Sequence, residues 1–130
     1  MLREKLGKEL LFFDGGMGTL LQKEGMQPGE LPETWNIEKP EVIRKIHASY
    51  VEAGSQIVLT NTFGANRIKY HGESYSLEQV INAAVENVRS VSKDIYAIRR
   101  YDNNKKIPII IDKNDDNAIV LYNTGEVKKI

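Results

Sequence analysis

Hydrophobic and polar positions in the first two-thirds of the chain follow one another in an order that predicts strand, helix, strand and helix. The run Leu10–Phe13 is continuously apolar and is stopped by an acid and two glycines, a pattern typical of a parallel strand buried on both faces. From Pro40 to Gly54 apolar residues recur at helical spacing, with proline and glycine where helices begin and end. Gln56–Thr60, apolar and β-branched at its centre, predicts the second strand.

A second amphipathic helix is predicted after Ser76, because Ser76 and Gln79 form the capping-box pattern. Its apolar stripe comprises Leu77, Val80, Ile81, Ala84, Val88 and Val91. Upstream, residues 1–9 predict at most a short helix, Thr19–Glu24 one or two helical turns, and Gly25–Asn36 an irregular loop. This order of elements implies parallel strands with right-handed crossovers, and therefore an α/β fold.

The pattern changes near residue 94. Ile107–Ile111 and Ala118–Tyr122 are strongly β-prone runs with polar turns around them, and a short run, Glu126–Ile130, follows. These segments predict a C-terminal β-hairpin or a three-stranded meander. The chain is therefore divided into a segment 1–94 and a β-rich tail 95–130.

Length and charge narrow the class of protein. At 130 residues the chain is too short for a complete (β/α)8 barrel, which needs about 200 residues or more. Its 18 basic and 18 acidic side chains balance, which does not favour nucleic-acid binding. There is no apolar run of about 20 residues, and the N-terminus is too charged for a signal peptide. We expect a soluble, cytoplasmic protein with neither nucleic acid nor membrane as a partner.

Metal-binding chemistry finds little support in the residue types. The sequence has no cysteine, which excludes disulfides and a thiolate metal site. His47 and His71 are isolated and lack a nearby acidic pair, so no metal site is predicted; His47 is expected at the surface or its boundary. Trp35 is expected to serve packing. Asp112–Asn117 lacks the glutamate and glycine of a calcium loop and is interpreted as a solvated turn.

The first predicted strand ends in a candidate ligand site. Ligands of α/β folds bind beyond the carboxyl ends of the strands, where Asp14 is expected to point. Gly15 and Gly16 leave backbone amides uncovered, and such amides bind carboxylate or phosphate. A carboxylate beside them binds an ammonium group, so the two together suit an amino acid. The alternative is that Asp14 caps the next helical turn and the glycines only bend the chain.

The second predicted strand ends in a cluster of small polar side chains. Thr60, Asn61 and Thr62 offer donors and acceptors at the same edge of the sheet, and Phe63 is placed to form a pocket wall. Arg67 is a candidate for reaching an anion. The alternative is a polar loop that satisfies its own backbone.

Taken together, these motifs resemble the N-terminal part of the homocysteine S-methyltransferase domain, as in cobalamin-dependent methionine synthase. The resemblance covers about residues 8–92. It rests on both strand ends and on Pro28–Glu33, Asn36, Pro40–Ile43, His47, Tyr50, Glu52–Gly54 and Thr60–Arg67. It implies that the chain forms the first two βα units of a (β/α)8 TIM-type barrel, truncated. Ile109–Asp112 is a predicted strand that ends in an acid, but Lys113–Asp116 follows it, where the family's third strand leads into an Asp-Ile-Gly-Pro-type turn.

The resemblance also implies a chemistry. In that family a zinc ion held by three cysteines binds the homocysteine sulfur, which attacks a methyl group of a donor such as methylcobalamin. Asp14 with the Gly15 and Gly16 amides would hold the amino-acid end of homocysteine, and Thr60–Thr62 would line the same mouth. The family's cysteines come from the second half of the barrel. We therefore expect no zinc, no cobalamin, no catalytic residue and no activity in this chain alone.

Two other functions are compatible with the pattern. A non-catalytic module would bind an amino acid or a protein partner and self-associate through exposed sheet edges. A half-barrel would complete its enzyme with a separate chain that carries the cysteines.

Overall fold

The computed structural model describes residues 2–66, 69–92, 94–99, 106–111, 118–122 and 127–129. The helices are α1 (Leu2–Lys5), α2 (Gly18–Lys23), α3 (Trp35–Glu38), α4 (Pro40–Glu52) and α5 (Leu77–Val91), with a 3-10 turn at Pro32–Thr34. The strands are β1 (Ile57–Leu59), β2 (Tyr96–Arg99), β3 (Lys106–Ile111), β4 (Ala118–Tyr122) and β5 (Val127–Lys129). Within these ranges, none of the helices combines the length and apolar character needed to cross a membrane.

The two longest helices begin and end where the sequence predicts. Pro40 is the first residue of α4, and the chain leaves that helix through Gly54, whose φ of +107° lies in the region that side chains disfavour. At the start of α5, Ser76 Oγ accepts the Gln79 N–H at 3.2 Å and Gln79 Oε1 accepts the Ser76 N–H at 2.8 Å. Both helix predictions and the capping box are confirmed.

The sheet has the order β1-β2-β3-β4-β5. β1 and β2 are parallel and are connected through α5, which makes a βαβ unit. The remaining pairs are antiparallel, so β3, β4 and β5 form the predicted meander. The turn Asp112–Asn117 lies outside the described residues.

The parallel strand after α5 is β2, which was not predicted from the sequence. Ile109–Ile111 belongs to β3, which runs antiparallel to β2. Because β2 has only four residues and follows the end of a helix closely, its short apolar run gives little periodic signal.

The prediction that Leu10–Phe13 is a strand buried on both faces was also wrong. Only Phe13 makes a ladder contact, an isolated parallel bridge to Ile57. Leu10, Phe12 and Phe13 are 77%, 55% and 56% exposed. The segment forms the edge of the sheet, and an apolar run reports hydrophobicity without showing which element covers it.

Two apolar clusters support the fold. The first joins α2, α3 and α4 through Leu21, Met26, Trp35, Ile43 and Ile46. The second packs the sheet against α5 through Val58, Val88, Ile95 and Ala97. Trp35 serves packing as expected, but it begins α3 within the segment that was predicted to be an irregular loop. The two clusters fix β1 and α4, and thereby the loops at the carboxyl end of β1.

Candidate ligand-binding site

Both predicted strand ends open onto one pocket. Its volume is about 270 Å³, and it is lined by Asp14, Gly15, Gly16, Met17, Gly18, Leu59, Thr60, Asn61, Thr62 and Phe63. The structure thus brings together all six residues predicted from the sequence, together with the expected wall residue Phe63. Met17, Gly18 and Leu59 are additional lining residues. Arg67, the candidate for reaching an anion, lies outside the described residues.

Asp14 ends the edge segment by using its side chain in the ladder. Its N–H donates to the Ile57 carbonyl at 3.0 Å, as in a parallel pair. The next donor, Leu59 N–H, donates to Asp14 Oδ2 at 3.0 Å, where continued pairing would offer a backbone carbonyl. The other oxygen, Oδ1, is buried and has no hydrogen-bond partner among the described residues. A buried acceptor without a donor is costly, so a hydrogen-bond donor that reached this oxygen would stabilise it.

Burial also shifts the pKa of Asp14. Loss of solvation raises the pKa of the carboxyl above its ordinary value of 3.8, and the hydrogen bond from Leu59 N–H acts in the opposite direction without cancelling the rise. An ammonium group placed at Oδ1 would favour the ionised form. The site is therefore complementary to a cation that carries hydrogen-bond donors.

The loop after Asp14 presents uncovered backbone. None of the N–H groups from Gly15 to Gly18 donates a hydrogen bond to another described residue. A residue of α4 holds the loop in place, because Tyr50 Oη donates to the Gly16 carbonyl at 2.6 Å. A row of free amides beside a carboxylate matches the two charged groups of an amino acid.

The second strand end is built differently, because its side chains bond to the protein. Thr60 Oγ1 and Thr62 Oγ1 lie 2.8 Å apart and share a hydrogen bond. Asn61 Nδ2 donates to the Pro32 carbonyl at 2.8 Å and to Asn36 Oδ1 at 3.1 Å. The side-chain amide of Asn61 therefore holds the pocket wall in place.

A network of buried amides extends behind this wall. Asn36 Nδ2 donates to the Asn61 carbonyl at 2.8 Å and to the Val80 carbonyl at 3.3 Å. Asn87 Nδ2 donates to the Asn36 carbonyl at 3.0 Å, and Asn87 Oδ1 accepts from Arg44 Nε at 2.9 Å. The structural role of Asn36 and Asn87 could not be predicted from the sequence, because hydrophobic periodicity gives no signal for buried amide pairs.

Glu33 fixes the far end of the same wall. Its side chain is 4% exposed, and Oε1 accepts the Gly64 N–H at 2.5 Å. A Cβ atom at Gly64 would lie only 2.8 Å from that oxygen. The close approach of the carboxylate therefore requires glycine at this position.

His47 was predicted at the surface or its boundary, and this was wrong. It is fully buried on α4, and neither ring nitrogen has a hydrogen-bond partner among the described residues. Burial lowers the pKa of His47 from 6.5 to about 4, so the ring is neutral at pH 7. The helix is covered on more of its circumference than the stripe Ile43–Ile46–Tyr50 indicates.

A thiolate-bound zinc ion does not fit these residues. The sequence has no cysteine, and the pocket offers one carboxylate and two hydroxyls that bond to each other. In the part of the chain that the structure describes, no three histidine or acidic side chains are grouped so that they could hold a metal ion. The pocket therefore lacks the zinc centre that the resemblance implies for the complete enzyme.

The fold is similar to part of a known methyltransferase structure. The metallated form of the homocysteine methyltransferase MmuM from Escherichia coli matches with a TM-score of 0.59 at 23% identity, over 75% of this chain and 40% of that chain. Its oxidized form matches with a TM-score of 0.54 at 28% identity, over 69% and 33%. At 23% identity the first likeness establishes the fold alone.

The family follows from the sequence itself. The family model for homocysteine S-methyltransferase matches residues 11–129. The chain therefore belongs to the homocysteine S-methyltransferase family. This match runs through the β tail, beyond the region in which individual motifs show the resemblance.

Curated relatives agree with this family. Methionine synthase of Mycobacterium leprae (strain TN) is 38% identical over 71 residues, which cover 50% of this chain and 6% of that protein. Homocysteine S-methyltransferase 3 of Zea mays is 30% identical over 83 residues, which cover 61% and 24%. The chain thus spans about a quarter or less of the length of these relatives.

Proposed function

We propose that the pocket binds homocysteine by its amino-acid end. The observation that carries this proposal is the buried, unpartnered Oδ1 of Asp14 beside the free amides of Gly15–Gly18. The ammonium group donates to Oδ1, and the carboxylate accepts from the amide row. Membership of the homocysteine S-methyltransferase family supports homocysteine as that amino acid.

The proposal includes a division of roles between the two loops. Asp14 and the glycines contact the ligand, whereas Thr60, Asn61 and Thr62 form a fixed wall of the same pocket. Phe63 is 67% exposed at the pocket and offers an apolar surface to the thioether-forming end of the ligand.

We further propose that these 130 residues bind without catalysing methyl transfer. Zinc would supply a stabilised homocysteine thiolate in the family reaction, and no residue of this chain provides the cysteine ligands. Binding and orientation of the amino acid remain within the capacity of the pocket. We also propose that the chain corresponds to the first two βα units of a (β/α)8 barrel. Its proposed location is the cytoplasm.

Calorimetric titration with L-homocysteine tests the binding proposal. We expect saturable binding, and Asp14→Asn is expected to weaken it at least about tenfold, because a charge-assisted hydrogen bond is lost. Asp94→Asn makes the same chemical change at an exposed aspartate outside the pocket and should leave the affinity within twofold. Equal affinities of the wild type and Asp14→Asn would contradict the proposal.

The inactivity proposal has its own test. The chain is incubated with homocysteine, zinc and a methyl donor such as methylcobalamin or S-methylmethionine, and methionine is measured. No methionine above a protein-free control is expected. Methionine formation that depends on the protein would show that the chain catalyses the reaction.

A second candidate function is self-association through the open edge of the sheet. Leu10, Phe12 and Phe13 expose most of their surface there, and among the described residues Phe13 pairs with a strand on one side only. Such edges pair readily with a second copy. Light scattering should then show a dimer that Phe12→Ser weakens and Leu6→Ser does not; a monomeric wild type at high concentration would remove this candidate.

A further inference from the structure

Tyr50 contacts the Asp14–Gly18 loop but does not line the pocket. It extends from α4, and its hydroxyl donates to the Gly16 carbonyl at 2.6 Å. Its ring also lies directly against Gly15, where a Cβ atom would be 3.0 Å from Oη and 3.2 Å from Cε1. The loop backbone therefore rests on the phenol.

This contact fixes the direction of a backbone donor. The described chain has no cis peptide bond, and in a trans peptide the C=O and the following N–H point in opposite directions. With the Gly16 carbonyl turned towards Tyr50, the Met17 N–H is turned away from it. Gly16 and Met17 both line the pocket, whereas Tyr50 is not among its lining residues.

The hydroxyl is thus more than a packing group. A phenylalanine would fill the same space against Gly15 but would leave the Gly16 peptide free to rotate. Rotation of that peptide would turn the Met17 N–H out of the amide row. Only the hydroxyl selects one orientation of the peptide.

We propose that Tyr50 is a positioning residue that orients the Gly16–Met17 peptide and thereby determines how tightly the pocket holds the carboxylate of its ligand. This inference rests on the proposed binding of homocysteine. It assigns to α4 the part of the affinity that depends on the carboxylate and leaves the ammonium contact to Asp14.

The test compares two ligands and two variants. L-homocysteine carries the carboxylate, and 3-aminopropane-1-thiol is the same molecule without it. Tyr50→Phe is expected to weaken homocysteine about tenfold and to leave the carboxylate-free thiol within twofold. Tyr70→Phe is the matched control, because it removes another phenol hydroxyl that donates to a backbone carbonyl, that of Tyr75 at 2.9 Å, and neither residue lines the pocket.

A ligand-free readout separates this inference from the proposed function. In amide NMR spectra of Tyr50→Phe we expect the Gly16 and Met17 resonances to shift while the resonances of α5 stay unchanged. Equal weakening of both ligands, or unchanged Gly16 and Met17 resonances, would overturn the positioning role. If the wild type binds no homocysteine, the proposed function fails, and the ligand-free resonances alone decide the role of Tyr50.

Discussion

The two loops that form the pocket lie side by side and are built on opposite principles. The Asp14–Gly18 loop is mostly exposed, and it keeps a carboxylate oxygen and a row of amides without protein partners. In the Thr60–Ala65 loop, Thr60, Asn61, Thr62 and Ala65 are buried, and the polar side chains of the first three bond to the protein. One loop keeps polar groups without protein partners, and the other uses its polar side chains to hold the shape of the pocket.

This difference teaches how to separate binding groups from structural ones. Polar side chains at a strand end form a candidate site in either loop, and only their hydrogen-bond partners distinguish the two cases. A polar atom without a partner costs stability, which a ligand returns on binding. Substitutions in the two loops should therefore differ in their effect on stability.

Removing the support of the buried loop should have the largest effect on stability. Asn36→Ala leaves the Asn61 carbonyl without its side-chain donor and Asn61 Nδ2 without one of its two acceptors, and it should lower the free energy of unfolding by about 3 kcal/mol. Denaturant unfolding measures this. Asn82→Ala, at an exposed position of α5, should change it by less than about 0.5 kcal/mol. Similar losses in both variants would show that the amide network contributes nothing specific.

His47 extends the comparison to a buried group that has no partner and no place in the pocket. Its pKa is about 4 in the folded chain against 6.5 for an ordinary histidine, so the unfolded chain binds the proton more tightly. The stability that the neutral ring provides is fully present above pH 6.5 and is lost as the pH falls to about 4. The loss amounts to about 3 kcal/mol.

The variant His47→Leu isolates this effect from the titration of the acidic residues. The difference in unfolding free energy between the variant and the wild type should grow between pH 6.5 and pH 4, in favour of the variant. At pH 7 the variant should be at least as stable as the wild type, because the ring nitrogens make no hydrogen bond to a described residue. A constant difference over this pH range would contradict the buried, neutral state of His47.

A pair of glycines compares the two loops directly. Neither Gly64 nor Gly16 has a positive φ, so alanine is compatible with both backbones. Gly64→Ala forces the buried Glu33 carboxylate from its place and should cost about 1–2 kcal/mol. In Gly16→Ala the new Cβ meets only Thr19 Oγ1 at 3.8 Å, and stability should rise by about 0.5 kcal/mol. A larger loss of stability in Gly16→Ala than in Gly64→Ala would contradict the proposed difference between the Asp14–Gly18 and Thr60–Ala65 loops.

The smallest expected effect concerns the charge of Asp14. Because burial raises the pKa of Asp14, the folded chain favours the neutral carboxyl over the ionised one. The stability that the neutral carboxyl provides is therefore lost as the pH rises from 3.8 through the raised pKa. Asp14→Asn should therefore raise Tm at pH 7 by about 2–3 °C, a small value because the group is only partly buried. At pH 3 the gain should disappear, and Asp94→Asn should show no gain at either pH. A lower Tm for Asp14→Asn at pH 7 would show that its charge stabilises the fold.

Much of the fold could be predicted because local signals coincide with tertiary packing. Pro40 and Gly54 bound a helix whose apolar stripe meets the core, and the Ser76–Gln79 box fixes the start of α5. The placement of Asp14 and Asn61 at one pocket follows from parallel strands, whose carboxyl ends share an edge. These predictions needed only periodicity and topology.

The remaining features depend on contacts between distant residues. The sequence shows that Asn61 is polar, but its inward orientation depends on Asn36 and Pro32, which are 25 and 29 positions away. The burial of His47 depends on how many elements surround α4, which a single helical stripe does not reveal. The exposure of Phe12 depends on what lies beyond the edge of the sheet, which the apolar run does not report.

The hydrogen bond from Leu59 N–H to Asp14 Oδ2 has a practical consequence. The proton of that amide touches the carboxylate on the side opposite to the proposed ligand oxygen. Its chemical shift therefore registers both protonation of Asp14 and arrival of a cation at Oδ1, with no label on the ligand. The Leu59 amide at the edge of the sheet is thus a probe of the proposed site, two covalent bonds and one hydrogen bond from Oδ1.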